Sequence, residues 1–273
     1  MFTYPVAKWT GGIFFEHVHR LIASVIGMIM IVVAVWTWVV DDRRWLKRLT
    51  AGALLAVIVQ GILGGMTVLM QLPPAVSIGH ALLAQSFLLM TVAIAAATSR
   101  AWITGDAAVA VPVDARVRTL LAASVVVTFL QILLGALVRH TYSAPAIPDF
   151  PLSNGALIPA FTDFHVVIHF AHRVGAVVTS ALIITGGVLV LRSGTLPRLR
   201  MPAIAMMLAV LVQVLLGATV IWTRQAILPN TLHVAFGAVT FATVFLAYLR
   251  AARWYQFRET RLASALRVQE AGA

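Results

Sequence analysis

Cysteine is absent from all 273 residues. That excludes disulfides, thiolate metal centres, a cysteine nucleophile and a covalently attached c-type heme. Acidic residues are scarce as well, nine against twenty Lys and Arg, and charged residues make up 11% of the chain against 61% hydrophobic. A soluble domain does not carry that balance. Most of this surface is made for lipid, and any metal centre must use histidine or carboxylate.

What is present in abundance is apolar sequence. Runs near 13–40, 49–70, 77–98, 119–139, 165–191, 202–223 and 230–250 are each long enough to cross roughly 30 Å of hydrocarbon, which takes about 20 helical residues. The expected fold is all-α: a polytopic membrane protein of about seven transmembrane helices. Glu16, His17, His19 and Arg20 open the first run and no small-residue cleavage site ends it, so it reads as a retained helix rather than a signal peptide.

The net charge of +11 is not read as a nucleic-acid footprint, because the basic residues fall between apolar runs, as the positive-inside rule requires. Alternate connections hold Arg43, Arg44, Lys47 and Arg48, then Arg100, Arg116 and Arg118, then Arg192, Arg198 and Arg200, then Arg250, Arg253, Arg258, Arg261 and Arg267. The opposite side has only Lys8, Arg139 and Arg224. The expected topology is an outer amino terminus and a cytoplasmic carboxyl terminus in a bacterial plasma (inner) membrane, with lipid as a partner and no nucleic acid. The stretch from Trp254 to Ala273 reads as a solvated or interfacial helix end.

The chain also repeats itself. Glu16-His17-Val18-His19-Arg20-Leu21 resembles His169-Phe170-Ala171-His172-Arg173-Val174 at a shift of 153 residues, and the same shift carries Gln60, Leu63, Gly64 and His80 onto Gln213, Leu216, Gly217 and His233. In both halves 61 residues separate the paired histidines. The expected organisation is a first half over 1–105 with three helices, a cytoplasmic linker over 106–118, a second half over 119–252 with four helices, and a tail over 253–273. The additional helix of the second half carries Gln131 and Arg139. Its first-half counterpart would lie before residue 1, so the pattern reads as an eight-helix plan without its first member.

His19, His80, His172 and His233 all fall within about two turns of a helix start on the outer side. Ionisable groups inside a span are costly and normally face the bundle interior. Two imidazoles at one depth can supply both axial ligands of a heme iron, with each second ring nitrogen left for a fixing hydrogen bond. Interfacial bonding to backbone or headgroups would account for a lone histidine, and is the reading for His17 and His140, which lack repeat partners. Zinc suits four histidines split between two similar halves less well than two porphyrins do, since there is not a carboxylate near each pair to complete a tetrahedral site. Arg20 and Arg173 follow the proposed ligands directly and could pair heme propionates, or snorkel to the interface. Gly27, Gly64, Gly65, Gly175 and Gly217 admit either a porphyrin face or close helix contact. One helical turn before the ligand the halves differ, with Glu16 in the first and His169 in the second. A closed six-coordinate iron suits electron transfer, whereas a carboxylate beside a heme can take a proton, so chemistry belongs to the first half and electron supply to the second.

These residues, with Gly135-Ala136-Leu137-Val138-Arg139-His140-Thr141 and Pro148-Asp149-Phe150-Pro151-Leu152, resemble the heme A synthase family over most of the chain. The resemblance implies eight helices in two halves and an oxidoreductase acting on a CH or CH2 group, which converts the ring methyl of heme O to the formyl of heme A for cytochrome oxidase. It implies heme b on His172 and His233, substrate heme O flanked by His19 and His80, and Glu16 as the catalytic carboxylate. The partners it implies are heme O, heme O synthase, an electron donor and the oxidase, with room for a homo-oligomer. Ile147 and Ser153 stand where many members carry cysteines. The competing reading is a non-enzymatic bis-histidine electron carrier or heme-handling protein. A repeat-built transporter is third, since few polar residues lie at the bilayer midplane.

Overall fold

The computed structural model describes residues 11–103, 109–113 and 115–257. Its helices in chain order are α1 (Gly11–Val40), α2 (Arg44–Leu69), α3 (Pro74–Thr98), α4 (Arg100–Ile103), α5 (Ala115–His140), α6 (Phe164–Arg192), α7 (Pro197–Trp222) and α8 (Ile227–Trp254). All but the one-turn α4 are long and apolar enough to cross a membrane. A helix satisfies its backbone within itself, which lipid demands, and large apolar side chains such as Phe15, Trp36, Leu55 and Leu215 stand exposed along the helices. The protein is a multi-pass membrane protein. Two compact units make it up, Met1–Ile94 and Ala95–Ala273.

The repeat is structural. Gly11, Arg44 and Pro74 open α1, α2 and α3, and Phe164, Pro197 and Ile227, each 153 positions later, open α6, α7 and α8. The α5 helix has no counterpart among the described residues of the first unit.

Helices α2, α5 and α7 begin four or five residues before their apolar runs. Arg44, Lys47, Arg116, Arg118, Arg198 and Arg200, expected in connections, therefore occupy first turns that hold no acidic residue, and Arg48 follows directly. A cation at a helix amino terminus opposes the macrodipole by about 0.3–1 kcal/mol. Long aliphatic stems that lift the charge to the headgroups make this tolerable, and the side-of-membrane bias in charge prevails. Between α1 and α2, Asp41 accepts from Arg43 Nε at 2.9 Å and from Nη2 at 2.6 Å. This hydrogen-bonded cation lowers the Asp41 carboxyl to about 2.

Three helices end in the same way. In α2, α5 and α7 a backbone N–H reaches back five residues, Leu72 to Thr67 at 2.7 Å, Ser143 to Val138 at 2.9 Å and Gln225 to Val220 at 2.8 Å. The residues just before, Gln71, Tyr142 and Arg224, have φ of 56°, 56° and 51°. This is the Schellman arrangement, usually built on glycine. Holding other residues left-handed costs on the order of 1 kcal/mol each.

The main hydrophobic cluster of the second unit joins Val117 and Leu121 of α5, Ile183 and Val190 of α6, Leu199 and Met206 of α7, and Val244 of α8. These residues come from the beginnings of α5 and α7 and the ends of α6 and α8. The histidines lie towards the opposite ends of the same helices.

The helices are joined by a small ribbon that the all-α expectation does not contain. Val109–Val113 pairs in parallel with Tyr255–Phe257, with Val109 opposite Tyr255 and Val113 opposite Phe257. Alternating valines favour a pleated strand. The ribbon takes part of the expected linker and the first residues of the expected tail, so Tyr255–Phe257 is strand rather than helix end. Residues 104–108, 114 and 258–273 of those two segments, and Lys8, lie outside the described residues.

Between α5 and α6 the loop is tied by side chains. Asp163 caps α6 by accepting from the N–H groups of His165 at 2.7 Å and Val166 at 3.1 Å. Asp149 accepts from Asn154 N at 2.7 Å and Gly155 N at 2.8 Å, and these N–H donors, Gly155 foremost, hold its carboxyl below the usual range. A depressed carboxyl contributes stability above its unfolded value, and that contribution is lost as pH falls through the folded one. Hydrogen exchange at Asn154 and Gly155, corrected for intrinsic rates, should show protection at neutral pH that disappears only below about pH 4, and Asp149→Asn should lose protection at neutral pH.

Candidate functional site: paired histidines

Each predicted ligand except His19 sits in one repeated setting. On α5, Gln131 Nε2 donates to the peptide carbonyl of His172 on α6 at 2.8 Å and lies 3.0 Å from its Nδ1. On α7, Gln213 donates to the carbonyl of His233 on α8 at 3.0 Å. In the first unit, Gln60 of α2 donates to the carbonyl of His80 on α3 at 2.9 Å and lies 3.4 Å from the ring.

Four residues after each glutamine is a glycine, on the same helix face. A Cβ on Gly64, Gly135 or Gly217 would stand 3.1, 3.0 or 3.1 Å from Cε1 of His80, His172 or His233. A side chain there would push the ring back by a few tenths of an ångström, so the imidazole edge rests against bare backbone. The bond and the gap together fix where each ring lies.

Within each unit the histidines form pairs. His19 and His80 lie close enough to feel each other's charge, as do His172 and His233. His19 is exposed and has no glutamine clamp among the described residues.

The donor sets come in twos. Among the described residues no three His, Cys, Asp or Glu side chains gather to hold a metal ion. Two imidazoles suit an iron already held by four porphyrin nitrogens better than a tetrahedral ion. The histidine settings fit such a group in a second respect. Nδ1 of His80 and of His233, and Oε1 of Gln60, Gln131 and Gln213, are buried with no hydrogen-bond partner among the described residues.

The position one turn before each His-Arg pair differs, and the arginine answers to it. Glu16 forms an ion pair with Arg20 beside His19, the two side chains remaining 42% and 28% exposed. In the second unit His169 is buried and accepts from Arg173 Nε at 3.4 Å. Arg173 Nη1 donates to Leu152 O at 2.7 Å and Ser153 Oγ at 3.3 Å, and Nη2 to Ile147 O at 3.0 Å and Asp149 O at 2.8 Å. All five guanidinium N–H donors are thus engaged within the protein, and Arg173 is a loop anchor here rather than a free propionate partner. Arg20 likewise faces Glu16.

Sequence reasoning used Gln60, Gln131 and Gln213 as landmarks without giving them a role, and passed over Gly135. The signal was available, since Gln-x-x-x-Gly recurs at 60–64, 131–135 and 213–217. It also passed over His165, whose Nδ1 lies 2.9 Å from Ser143 Oγ, itself 2.6 Å from Thr141 Oγ1. Of the residues read as interfacial, His17 Nδ1 bonds the carbonyl of Ile13 on its own helix at 2.9 Å.

Together these features define a class, a duplicated helical membrane protein with one histidine pair per unit. Comparison with known proteins agrees. The family model COX15-CtaA, cytochrome oxidase assembly protein, matches residues 4–245. The heme A synthase of Symbiobacterium thermophilum is 34% identical over 193 residues, 67% of this chain and 62% of that protein. That of Halalkalibacterium halodurans is 28% identical over 236 residues, 84% of this chain and 76% of that protein. A protoheme IX farnesyltransferase of Haloarcula marismortui is 32% identical over 128 residues, 47% of this chain and 27% of that protein. This chain therefore spans less than two thirds of the Symbiobacterium relative. It belongs to the COX15-CtaA family of cytochrome oxidase assembly proteins.

The glycines separate by what surrounds them. An alanine Cβ at Gly175 would collide with Gln131 Oε1, whereas at Gly27 it would meet nothing within 4 Å. Gly175→Ala should therefore turn Gln131 away from His172 and destabilise the protein by about 1–3 kcal/mol, read as a lower melting temperature in detergent. Gly27→Ala should not lower it.

Proposed function

We propose that this chain oxidises the ring methyl of heme O to the formyl of heme A in the membrane, for cytochrome oxidase assembly. The observation that carries this reading is the difference between two otherwise matched histidine pairs: a carboxylate, Glu16, stands one turn before His19, where the second unit has the buried His169. Family membership and the names of the relatives support it.

In this reading the first half, over 1–105, takes substrate heme O between His19 and His80, and the second, over 119–252, holds heme b on His172 and His233. The porphyrin iron supplies the redox chemistry when bound. The chain's own part is to place and to protonate. Gly64, Gly135 and Gly217 would seat the rings, and Arg20 holds Glu16 one turn from His19, where its carboxylate could accept a proton from the bound substrate. The clamped imidazoles of the second unit would hold a heme suited to electron relay. Heme O synthase is the neighbouring enzyme that this reading calls for, and the similarity to a protoheme IX farnesyltransferase supports it.

Membranes containing the protein and supplied with heme O should form heme A, separable by chromatography. Glu16→Gln should lower conversion about 100-fold or more while heme bound to the second unit is retained. His172→Ala or His233→Ala should lose the low-spin absorbance. A wild type that binds two low-spin hemes and never converts heme O would make the protein a carrier instead.

The reading also places the protein in a bacterial plasma membrane with the amino terminus outside, supported by the basic first turns of α2, α5 and α7. Because the chain has no cysteine, single-cysteine labelling has no background. The exposed positions Tyr142 and Ser99 should differ. Tyr142→Cys should react with an impermeant maleimide on intact cells, and Ser99→Cys only after permeabilisation. The opposite pattern would invert the topology.

A further inference from the structure

The α5–α6 loop carries a surface that the histidine pairs do not use. Between Asp149 and Asp163 the sequence has no charged residue, and it contains the run Ala156-Leu157-Ile158-Pro159-Ala160-Phe161. In the folded protein Pro159 is buried while its neighbours turn outward, with Leu157 82%, Ile158 67% and Phe161 56% exposed. The run is fastened at both ends. Ser153 and Ala156 exchange backbone bonds at 2.7 and 3.3 Å, and Asp163 caps α6 immediately after it. Contiguous apolar side chains displayed on a fastened loop mark a surface that meets something other than water.

What it meets follows from depth and direction. Phe161 packs edge-on against Phe170 of α6, with ring centroids 5.6 Å apart. Phe170 lies six residues beyond Phe164, the first residue of α6, which is about 9 Å along the axis, and helical side chains lean back towards the amino terminus. The contact therefore lies inside the helix start, and the loop doubles back along α6 before Asp163 begins it. The face it doubles onto is the lipid face. Val167, Val174 and Val177, at helical spacing from Phe170, are all exposed on this membrane-spanning helix.

We infer that residues 156–161 form an interfacial foot resting in the lipid leaflet at the amino-terminal end of α6, with Leu157, Ile158 and Phe161 among the acyl chains. Irregular backbone cannot enter the hydrocarbon core, so the main chain stays at headgroup level and only side chains go in. Pro159 eases this by having no N–H to satisfy. The partner is phospholipid rather than protein, because the apolar side chains continue the lipid face of α6 and carry no charge that would select a protein partner. Asn154 and Asp163, both exposed, mark where the chain returns to water. The loop is thus held at two places, by Arg173 within the protein and by lipid outside it.

The test uses the full-length protein in phospholipid vesicles, where the absence of cysteine leaves a single introduced thiol for labelling. Ile158→Cys carrying an environment-sensitive nitrobenzoxadiazole should emit to the blue of the same label on Asn154→Cys. Phosphatidylcholine spin-labelled high on its acyl chain should quench the label at Ile158→Cys, and aqueous iodide should not. At Asn154→Cys the two quenchers should exchange roles. Leu157→Cys supplies a second reporter should the label at Ile158→Cys disturb the fold, and should behave in the same way. Iodide quenching at both loop positions equal to that at Asn154→Cys would put the run in water and overturn the inference. A label that neither quencher reaches would overturn it as well, by showing that protein, such as a second copy of the chain, covers the run.

Discussion

Side chains in lipid gain nothing by leaving water for one another, so helices in a bilayer are held by close approach at small residues and by a few polar bonds, each worth about 0.6–2 kcal/mol. In this protein those two means coincide at one place. A glutamine amide crosses to the peptide carbonyl of a histidine, and a glycine one turn away receives the histidine ring. The bond sets how far one helix slides along the other, and the glycine sets how close they come. Register, helix separation and ligand position are thus fixed by the same three residues. The left-handed residues that end α2, α5 and α7 follow each clamp at a constant interval and serve the same end, since they return the chain with the histidine at the depth of the glutamine.

Duplication supplies two units built on this setting, and they differ at one position. The difference is confined to one turn of α1 and α6. Arg20 and Arg173 correspond, and each turns to the residue four positions before it, but that residue is a carboxylate in one unit and a buried imidazole in the other. A single exchange therefore sets a half-exposed ion pair in one unit against a buried, hydrogen-bonded imidazole in the other. The ring clamps are common to both and belong to the ancestral half rather than to either role.

The seven spans and the shift of 153 were legible because lipid enforces long uninterrupted apolar runs and because gapless duplication keeps polar landmarks in register. The helix starts at Arg44, Ala115 and Pro197 were not. A basic residue reads as loop, and only its long stem allows it to sit in a first turn. The turns at Gln71, Tyr142 and Arg224 gave no sign either, because the usual signal is glycine and none of them is. The Val109–Val113 ribbon is too short to stand out from a linker, and its partner lies at the far end of the chain. The histidines were legible as a repeated pattern, but the surroundings that hold them depend on neighbours 20 or 41 residues away in sequence, which pattern alone does not connect.

Arg173 shows what a local reading leaves out for physical reasons. Directly after a ligand, a guanidinium looks made for a carboxylate of the cofactor, and at that distance in sequence nothing else competes. In the folded protein the α5–α6 loop competes, and it presents carbonyls from Ile147, Asp149 and Leu152 together with Ser153 Oγ. Ile147 is fully buried and Ser153 nearly so, which makes a shell of acceptors with little water to satisfy them. A planar cation with five donors is the one side chain that can meet them at once. In a chain without cysteine, the α5–α6 loop is closed by this cation, which stands on the helix that carries His172. In the second unit the arginine thus fastens the loop to α6, whereas in the first unit the corresponding Arg20 pairs with Glu16.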